Sequence, residues 1–194
     1  VREATDEIQL RERETIMRLA RAAEYRDPET GAHIQRMAHY SASIAQHLGL
    51  SDEVGDLLLS AAPMHDIGKL GVSNAVLDKP GRLEANEWDL VKAHAAYSEQ
   101  ILGRLNIFSE LAGIAAAHHE RLDGKGYPRG LTAEHISLET RIITVADIFA
   151  ALIEKRAYRP PMHRGRAYEI LSEMTGAKLE KALVTAFKDV ALTR

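Results

Sequence analysis

The chain has no cysteine, which excludes disulfide scaffolds, thiolate metal sites and a cysteine nucleophile, and fits a reducing compartment. Aromatic residues are scarce, 5% of 194 residues with a single Trp. Few stretches show the polar–apolar alternation that a half-buried strand needs. No apolar run approaches the roughly 18 residues of a membrane span. The longest, Leu57 to Met64 and Leu111 to Ala117, sit inside amphipathic patterns. No secretory signal is visible. Neither sign of charge dominates: 25 Lys and Arg against 28 Asp and Glu give a net −3, without the basic field that coats duplex nucleic acid. What these absences leave is a globular chain, 45% hydrophobic, of a size suited to one domain or one domain with an appendage. It opens on Val1 rather than Met, which reads as a piece of a longer protein.

What is present is helical spacing. Glu3 to Arg26 is charged, with a thin stripe of Ile8, Ile16, Leu19 and Ala23. Two readings fit it: a connecting helix that also serves as a dimer contact, or an ordinary surface helix. Asp27 and Pro28 then suit the cap and first position of a helix that runs to Leu48 and stops at Gly49. A third pattern carries Val54, Leu57, Leu58 and Ala61, with Pro63 expected to kink it. A long loop, Lys69 to Leu83, precedes a helix with the face Trp88, Val91, Ala95, Ser98 and Leu102. Another helix from Ser109 leads into the loop Asp123 to Pro128. An apolar helix over Leu138 to Ile153 follows, then two closing helices near Arg166 to Met174 and Lys178 to Leu192. The expectation is an all-α bundle of about seven to eight helices.

Into these apolar stripes the sequence sets residues that do not belong there. Glu29 and His33, His65 and Asp66, His94, His118 and His119, and Asp147 lie on five separate segments. Buried without a partner, each imidazole or carboxylate would cost several kcal/mol. A shared metal cluster satisfies all of them together. Five His and three carboxylates form a mixed nitrogen and oxygen set suited to Fe, Mn, Zn, Co or Ni. The set is too large for one ion, and Asp66, directly after His65, is placed to bridge two. Paired ions clamp a phosphate and hold a bridging hydroxide for in-line attack. Lys69, one turn on, suits neutralisation of a phosphoryl oxygen. His39, His47, His135 and His163 fall outside the constellation and read as surface or structural.

The run His65-Asp66-Ile67-Gly68-Lys69 resembles the signature of the HD phosphohydrolase superfamily. His118 to Pro128, with Gly126-Tyr127-Pro128, resembles the second signature of its HD-GYP subfamily. Further pieces fall in the family's order: Arg26 to Gly31 with His33 and Arg36, Lys79-Pro80-Gly81, Lys92 with His94, Val145-Ala146-Asp147, and Arg156 with Tyr158. The resemblance implies an HD-domain helical bundle with a buried multi-metal site over 27–194, and a connecting helix over 1–26 from a sensory or receiver domain. It implies a cytoplasmic bacterial phosphodiesterase that hydrolyses cyclic di-GMP to pGpG, GMP or both with two or three transition-metal ions, Fe or Mn before Zn, Ni or Co. It places His33, His65, Asp66 and Asp147 around one ion, shares Asp66 with a second held by His94, His118 and His119, and matches Glu29 to a third. Lys69, Arg156 and Arg159 match substrate-contacting basic positions, and Gly126 and Tyr127 the loop lining the site. That loop is also where a diguanylate cyclase or adaptor would dock, and the N-terminal helix where a homodimer would form.

The family usually continues after Asp147 with a second Asp and a Thr-Ser pair, where this chain has Ala150, Ile153 and Glu154; the last basic position, usually Lys, is Arg159. A glutamate facing an anionic ligand would be unfavourable. Three alternatives follow: a slow or inactive module that binds a cyclic dinucleotide or a partner, a phosphodiesterase for cyclic GMP-AMP, and an HD hydrolase of a mononucleotide or alarmone. The Gly126-Tyr127-Pro128 run speaks against the last.

Overall fold

The computed structural model describes residues 31–103, 109–155 and 160–193, with Glu7, Ile8, Leu10, Arg11, Glu14, Thr15, Arg18 and Leu19 of an N-terminal helix. Of the N-terminal stripe, Ile8 and Leu19 are exposed, while Ile16 and Ala23 lie outside the described residues. Exposed i,i+4 pairs, Glu7 with Arg11 and Glu14 with Arg18, support the helix locally.

Helix α1, Gly31–His47, buries Met37, Tyr40 and Ile44 as its periodicity requires. It ends in a Schellman turn: Gly49 has φ +68°, Gly49 N–H donates to Gln46 and Leu50 N–H to Ala45. Helix α2 spans Asp52–Ala61. Pro63 does not kink this helix but lies beyond its end, in a 3-10 turn of Ala62–Met64. A second 3-10 turn, Ile67–Gly71, follows. The predicted long loop holds a short helix, α3, Asn74–Leu77, capped by Ser73. Helix α4 is Ala85–Leu102, and the Glu87 carboxylate accepts from Glu84 N–H at its start. Its predicted face is correct from Ala95 onward, but Trp88 is 47% exposed because the first turns of α4 project beyond the core.

Helix α5, Ser109–Ala117, carries the second apolar run, and α6, Leu138–Ile153, coincides with its predicted span. Ser137 caps α6 by accepting from Thr140 N–H. Helix α7 is Arg164–Glu173. The single closing helix expected over Lys178 to Leu192 is two, α8 Lys181–Ala186 and α9 Lys188–Leu192, broken at Phe187. From Gly31 onward there are thus nine α-helical segments among the described residues, against the seven to eight expected, since α3 and the break at Phe187 were not anticipated. The described residues contain two isolated β-bridges and no strand.

The core lies where α1, α2, α6 and the closing helices meet. Tyr40, Phe149 and Phe187 pack edge to face around one another, with ring centroids 5.0–5.5 Å apart. Met37, Leu58, Ile142, Ile143, Leu171 and Leu183 fill the space around them.

Candidate metal centre

The polar residues gather at one end of this core. The turn from Met64 to Ile67 delivers His65 and Asp66 to the flank of α4, which carries His94. The approach requires glycine at position 68: a Cβ there would stand 1.9 Å from the His94 carbonyl oxygen and 2.4 Å from Ser98 N. Gly68 N–H instead donates to Ser98 Oγ (2.9 Å), which donates to the His65 carbonyl (3.0 Å). The end of α5 supplies His118 and His119, and Thr144 Oγ of α6 lies 2.9 Å from the His118 carbonyl. Helix α1 supplies His33 and α6 supplies Asp147.

The ring orientations are set by the backbone. Nδ1 of His65, His94 and His118 lies 2.7, 2.6 and 2.7 Å from the carbonyl oxygens of Ala62, Val91 and Ala115, each three residues earlier. A carbonyl only accepts, so Nδ1 carries the proton and Nε2 presents its lone pair to the interior.

Asp66 lies between these rings and turns its two oxygens in different directions. Oδ1 is 3.0 Å from His94 Nε2 and 3.6 Å from His118 Nε2. Oδ2 is 3.2 Å from His65 Nε2 and 2.7 Å from Lys69 Nζ. Single ligand atoms of Asp66, His94, His118 and His119 all lie within 4.8 Å of one another. On the far flank, His33 Nε2 is 3.4 Å from Asp147 Oδ1.

Burial by itself would raise the Asp66 carboxyl, but Lys69 and His65 outweigh it and hold the group well below the usual carboxylate range. Asp147 is likewise lowered, because its contact with His33 and the neighbouring imidazoles overcome burial. Burial, reinforced by His118, keeps His119 neutral far below the ordinary imidazole value, and burial lowers His118 as well. Ionised Asp66 and Asp147 thus stand beside two imidazoles, His118 and His119, that burial holds toward the neutral form, and metal ligation demands both conditions.

The residues fit metal ions on a further observation. Asp66 Oδ1, His94 Nε2 and His118 Nε2 are buried without a hydrogen-bond partner, although they converge. Three such lone-pair atoms destabilise a fold unless a cation accepts them.

The loop after His119 folds back over the centre. Buried Glu120 accepts from the N–H groups of Arg129 (2.7 Å) and Leu131 (2.9 Å), closing the loop onto its own start. A Cβ at Gly126 would stand 2.4 Å from the Glu120 Cα, so this return also needs glycine. Tyr127 lays its ring against His119 at 4.6 Å and 33°, and burial pushes its phenol above the ordinary value.

Of the predicted site residues, His33, His65, Asp66, Lys69, His94, His118, His119, Asp147, Gly126 and Tyr127 come together at this end of the molecule. Glu29, Arg156 and Arg159 lie outside the described residues. Glu154 turns its carboxylate to partners within the protein. Its side chain is 10% exposed, Oε1 accepts from Arg36 Nη2 at 2.7 Å, and Oε2 is 3.1 Å from His33 Nδ1. Ala150 is buried in the core. His39, His47 and His135 are exposed and His163 caps α7, all apart from the centre. Sequence reasoning missed Ser98, Thr144 and Glu120; the last was signalled only by standing directly after His118-His119.

A helical fold that gathers imidazoles and carboxylates from five segments around a half-buried aspartate defines a metal-binding helical domain of the HD type. The chain belongs to the HD domain family, whose model matches residues 18–183. It is 51% identical over 163 residues to 3'3'-cGAMP-specific phosphodiesterase 3 of Vibrio cholerae serotype O1, covering 84% of this chain and 35% of that protein. It is 43% identical over 183 residues to the cyclic di-GMP phosphodiesterase response regulator RpfG of Xanthomonas campestris pv. campestris, covering 93% of this chain and 48% of that protein. The crystal structure of a cyclic GMP-AMP specific phosphodiesterase of V. cholerae, V-cGAP3, superposes with a TM-score of 0.56 at 43% identity, over 91% of this chain and 40% of that one. The chain thus spans between about a third and a half of the length of the curated relatives named here. No described helix is long and apolar enough to cross a membrane.

Proposed function

We propose that the protein is a metal-dependent phosphodiesterase that opens a guanine-containing cyclic dinucleotide. The observation that carries this reading is the Asp66 carboxylate, with one oxygen toward His94 and His118 and the other toward His65 and Lys69. A carboxylate with a separate set of donors on each side is the arrangement of a bridging ligand. On this reading His33, His65, Asp66 and Asp147 hold one ion, and Asp66, His94, His118 and His119 a second. Glu29 serves a third.

Two adjacent divalent ions, when bound, would stabilise charge on phosphoryl oxygens and lower the pKa of a water so that hydroxide is available to attack phosphorus. The chain does the rest. Nδ1 hydrogen bonds lock three imidazoles, so that substrate meets a preformed site. Lys69, held against Asp66, keeps its ammonium beside the reacting phosphate and stabilises charge that develops there. Tyr127, fixed on His119, walls the site and offers a ring face to a nucleobase. Arg156 and Arg159 take the remaining phosphate and base contacts. Residues 27–194 form the catalytic domain, and 1–26 connect it to an upstream segment.

Two substrates have support. The Xanthomonas relative is a cyclic di-GMP phosphodiesterase, and the relative 51% identical is specific for 3'3'-cGAMP. The test is hydrolysis of both by protein purified anaerobically and loaded with Mn²⁺ or Fe²⁺, with linear products resolved by chromatography. Cleavage of either supports the phosphodiesterase reading, and the ratio of kcat/KM assigns the substrate. Metal uptake with no cleavage of either would leave a binding module.

A further inference from the structure

His33 differs from the other oriented imidazoles. His65, His94 and His118 each set Nδ1 against a carbonyl of their own chain segment, three residues back. Facing His33 Nδ1, at 3.1 Å, is a carboxylate oxygen of Glu154, which follows the last residue of α6. Its other oxygen accepts from Arg36, one turn beyond His33 on α1. Asp147 and Glu154 are seven residues apart, two turns of α6, and reach His33 from opposite ring nitrogens at 3.4 and 3.1 Å. His33 is fully buried and Glu154 nearly so. Arg36 matches the Glu154 charge, so the carboxylate is stabilised where it stands.

We propose that Glu154, anchored by Arg36, is a positioning residue for His33: its carboxylate faces Nδ1 as an ion-pair partner, holds the proton on that nitrogen, turns Nε2 toward Asp147, and strengthens the metal position these two residues share. A carboxylate is a stronger acceptor than a carbonyl and raises the donor strength of the imidazole it binds. The position of His33 and Asp147 is thereby made unlike the one served by His94, His118 and His119, whose oriented rings rest on carbonyls. This rests on the metal reading above and assigns a role within it to a residue outside the ligand set.

The test is Co²⁺ titration of the metal-free protein, followed by visible absorption and calorimetry, for wild type, Glu154→Ala, Glu154→Gln and Arg36→Met. Glu154→Ala should weaken one metal equivalent by about 10–100-fold and alter its d–d absorption, the scale found when an outer-shell partner is lost. The other equivalent should be unchanged. Glu154→Gln, which keeps the shape and an acceptor oxygen but loses the charge, should fall between Ala and wild type, as should Arg36→Met. Thermal melting of each metal-free variant separates this from a folding role, and Glu154→Gln carries the test if Glu154→Ala does not fold. Wild-type Co²⁺ binding with an unchanged isotherm in Glu154→Ala overturns the inference alone. Equal weakening of every equivalent in step with a lowered metal-free melting temperature also overturns it. A wild-type protein that takes up no Co²⁺ overturns the metal reading, and this inference with it.

Discussion

Asp147 and Phe149 stand two residues apart on α6 and serve opposite interiors. Phe149 is fully buried against Tyr40 and Phe187, while Asp147 faces His33 across the metal centre. The same split recurs on α1, where His33 precedes Met37 by one turn, and at the end of α5, where Ala115 lies in the core and His118 in the centre. Each element thus gives most of its buried face to an apolar core and one position to a polar one. The core is held by area removed from water, which is large and indifferent to direction. The centre is held by direction: imidazoles on fixed carbonyls, an aspartate between them, and lone pairs that only a cation satisfies. Stability should therefore reside in the first region and chemistry in the second, and substitutions in each should separate the two.

The largest effect is expected at Asp66. Asp66→Ala removes the oxygens that face both histidine sets and the partner of Lys69. Hydrolysis of cyclic di-GMP and of 3'3'-cGAMP should fall to background, with a metal-free circular dichroism spectrum that stays helical. Retained turnover would remove the bridging role. The matching change in the core is Phe149→Ala, which empties the space between Tyr40 and Phe187 and should lower unfolding free energy by about 3–5 kcal/mol. Urea unfolding measures it. Below its new melting temperature this variant should still bind metal as wild type does, and a selective loss of metal affinity would show that the regions are coupled.

Lys69→Ala comes next. Its ammonium sits 2.7 Å from Asp66 Oδ2 and is not itself a metal ligand. The loss of one electrostatic stabiliser should reduce kcat by roughly 10²–10³ with metal content unchanged by elemental analysis. Full activity would return Lys69 to a simple ion pair with Asp66.

The same contrast explains what the sequence disclosed. The seven candidate ligands that gather at the centre were legible because each breaks an apolar stripe, and a stripe is a local pattern read at helical spacing; the eighth, Glu29, lies outside the described residues. The helices themselves were legible for the same reason, α6 to the residue. Residues whose roles depend on a distant partner were not. Glu154 stands out in the sequence only as a departure from the family's pattern, and its role shows only when α1 brings His33 and Arg36 against it. Glu120 serves two N–H groups nine and eleven residues ahead, across a loop whose return path no periodicity encodes. Trp88 obeys the spacing of its helix and is nonetheless exposed, because amphipathic spacing marks a face and not how far the core extends along it. The break at Phe187 is hidden because that residue is as apolar and as buried as the helices on either side.

Ser98 belongs to both regions, and its substitution gives the finest test. It lies within the apolar face of α4, four residues after His94, and is fully buried. Its hydroxyl accepts from Gly68 N–H and donates to the His65 carbonyl, so one oxygen ties α4 to the turn that carries His65, Asp66 and Lys69. Alanine in its place removes one atom and makes almost no cavity, yet it strands a buried N–H and a buried carbonyl. The expected loss is about 1–3 kcal/mol of stability, below that of Phe149→Ala. Because the stranded groups sit on the turn and not in the core, Ser98→Ala should also lower kcat, whereas Phe149→Ala should not at a temperature where it is folded. Measuring kcat and urea midpoint together for the two variants settles the point. If Ser98→Ala loses stability with kcat unchanged, its hydroxyl is a fastening of the core, and the boundary between the two regions moves to Gly68.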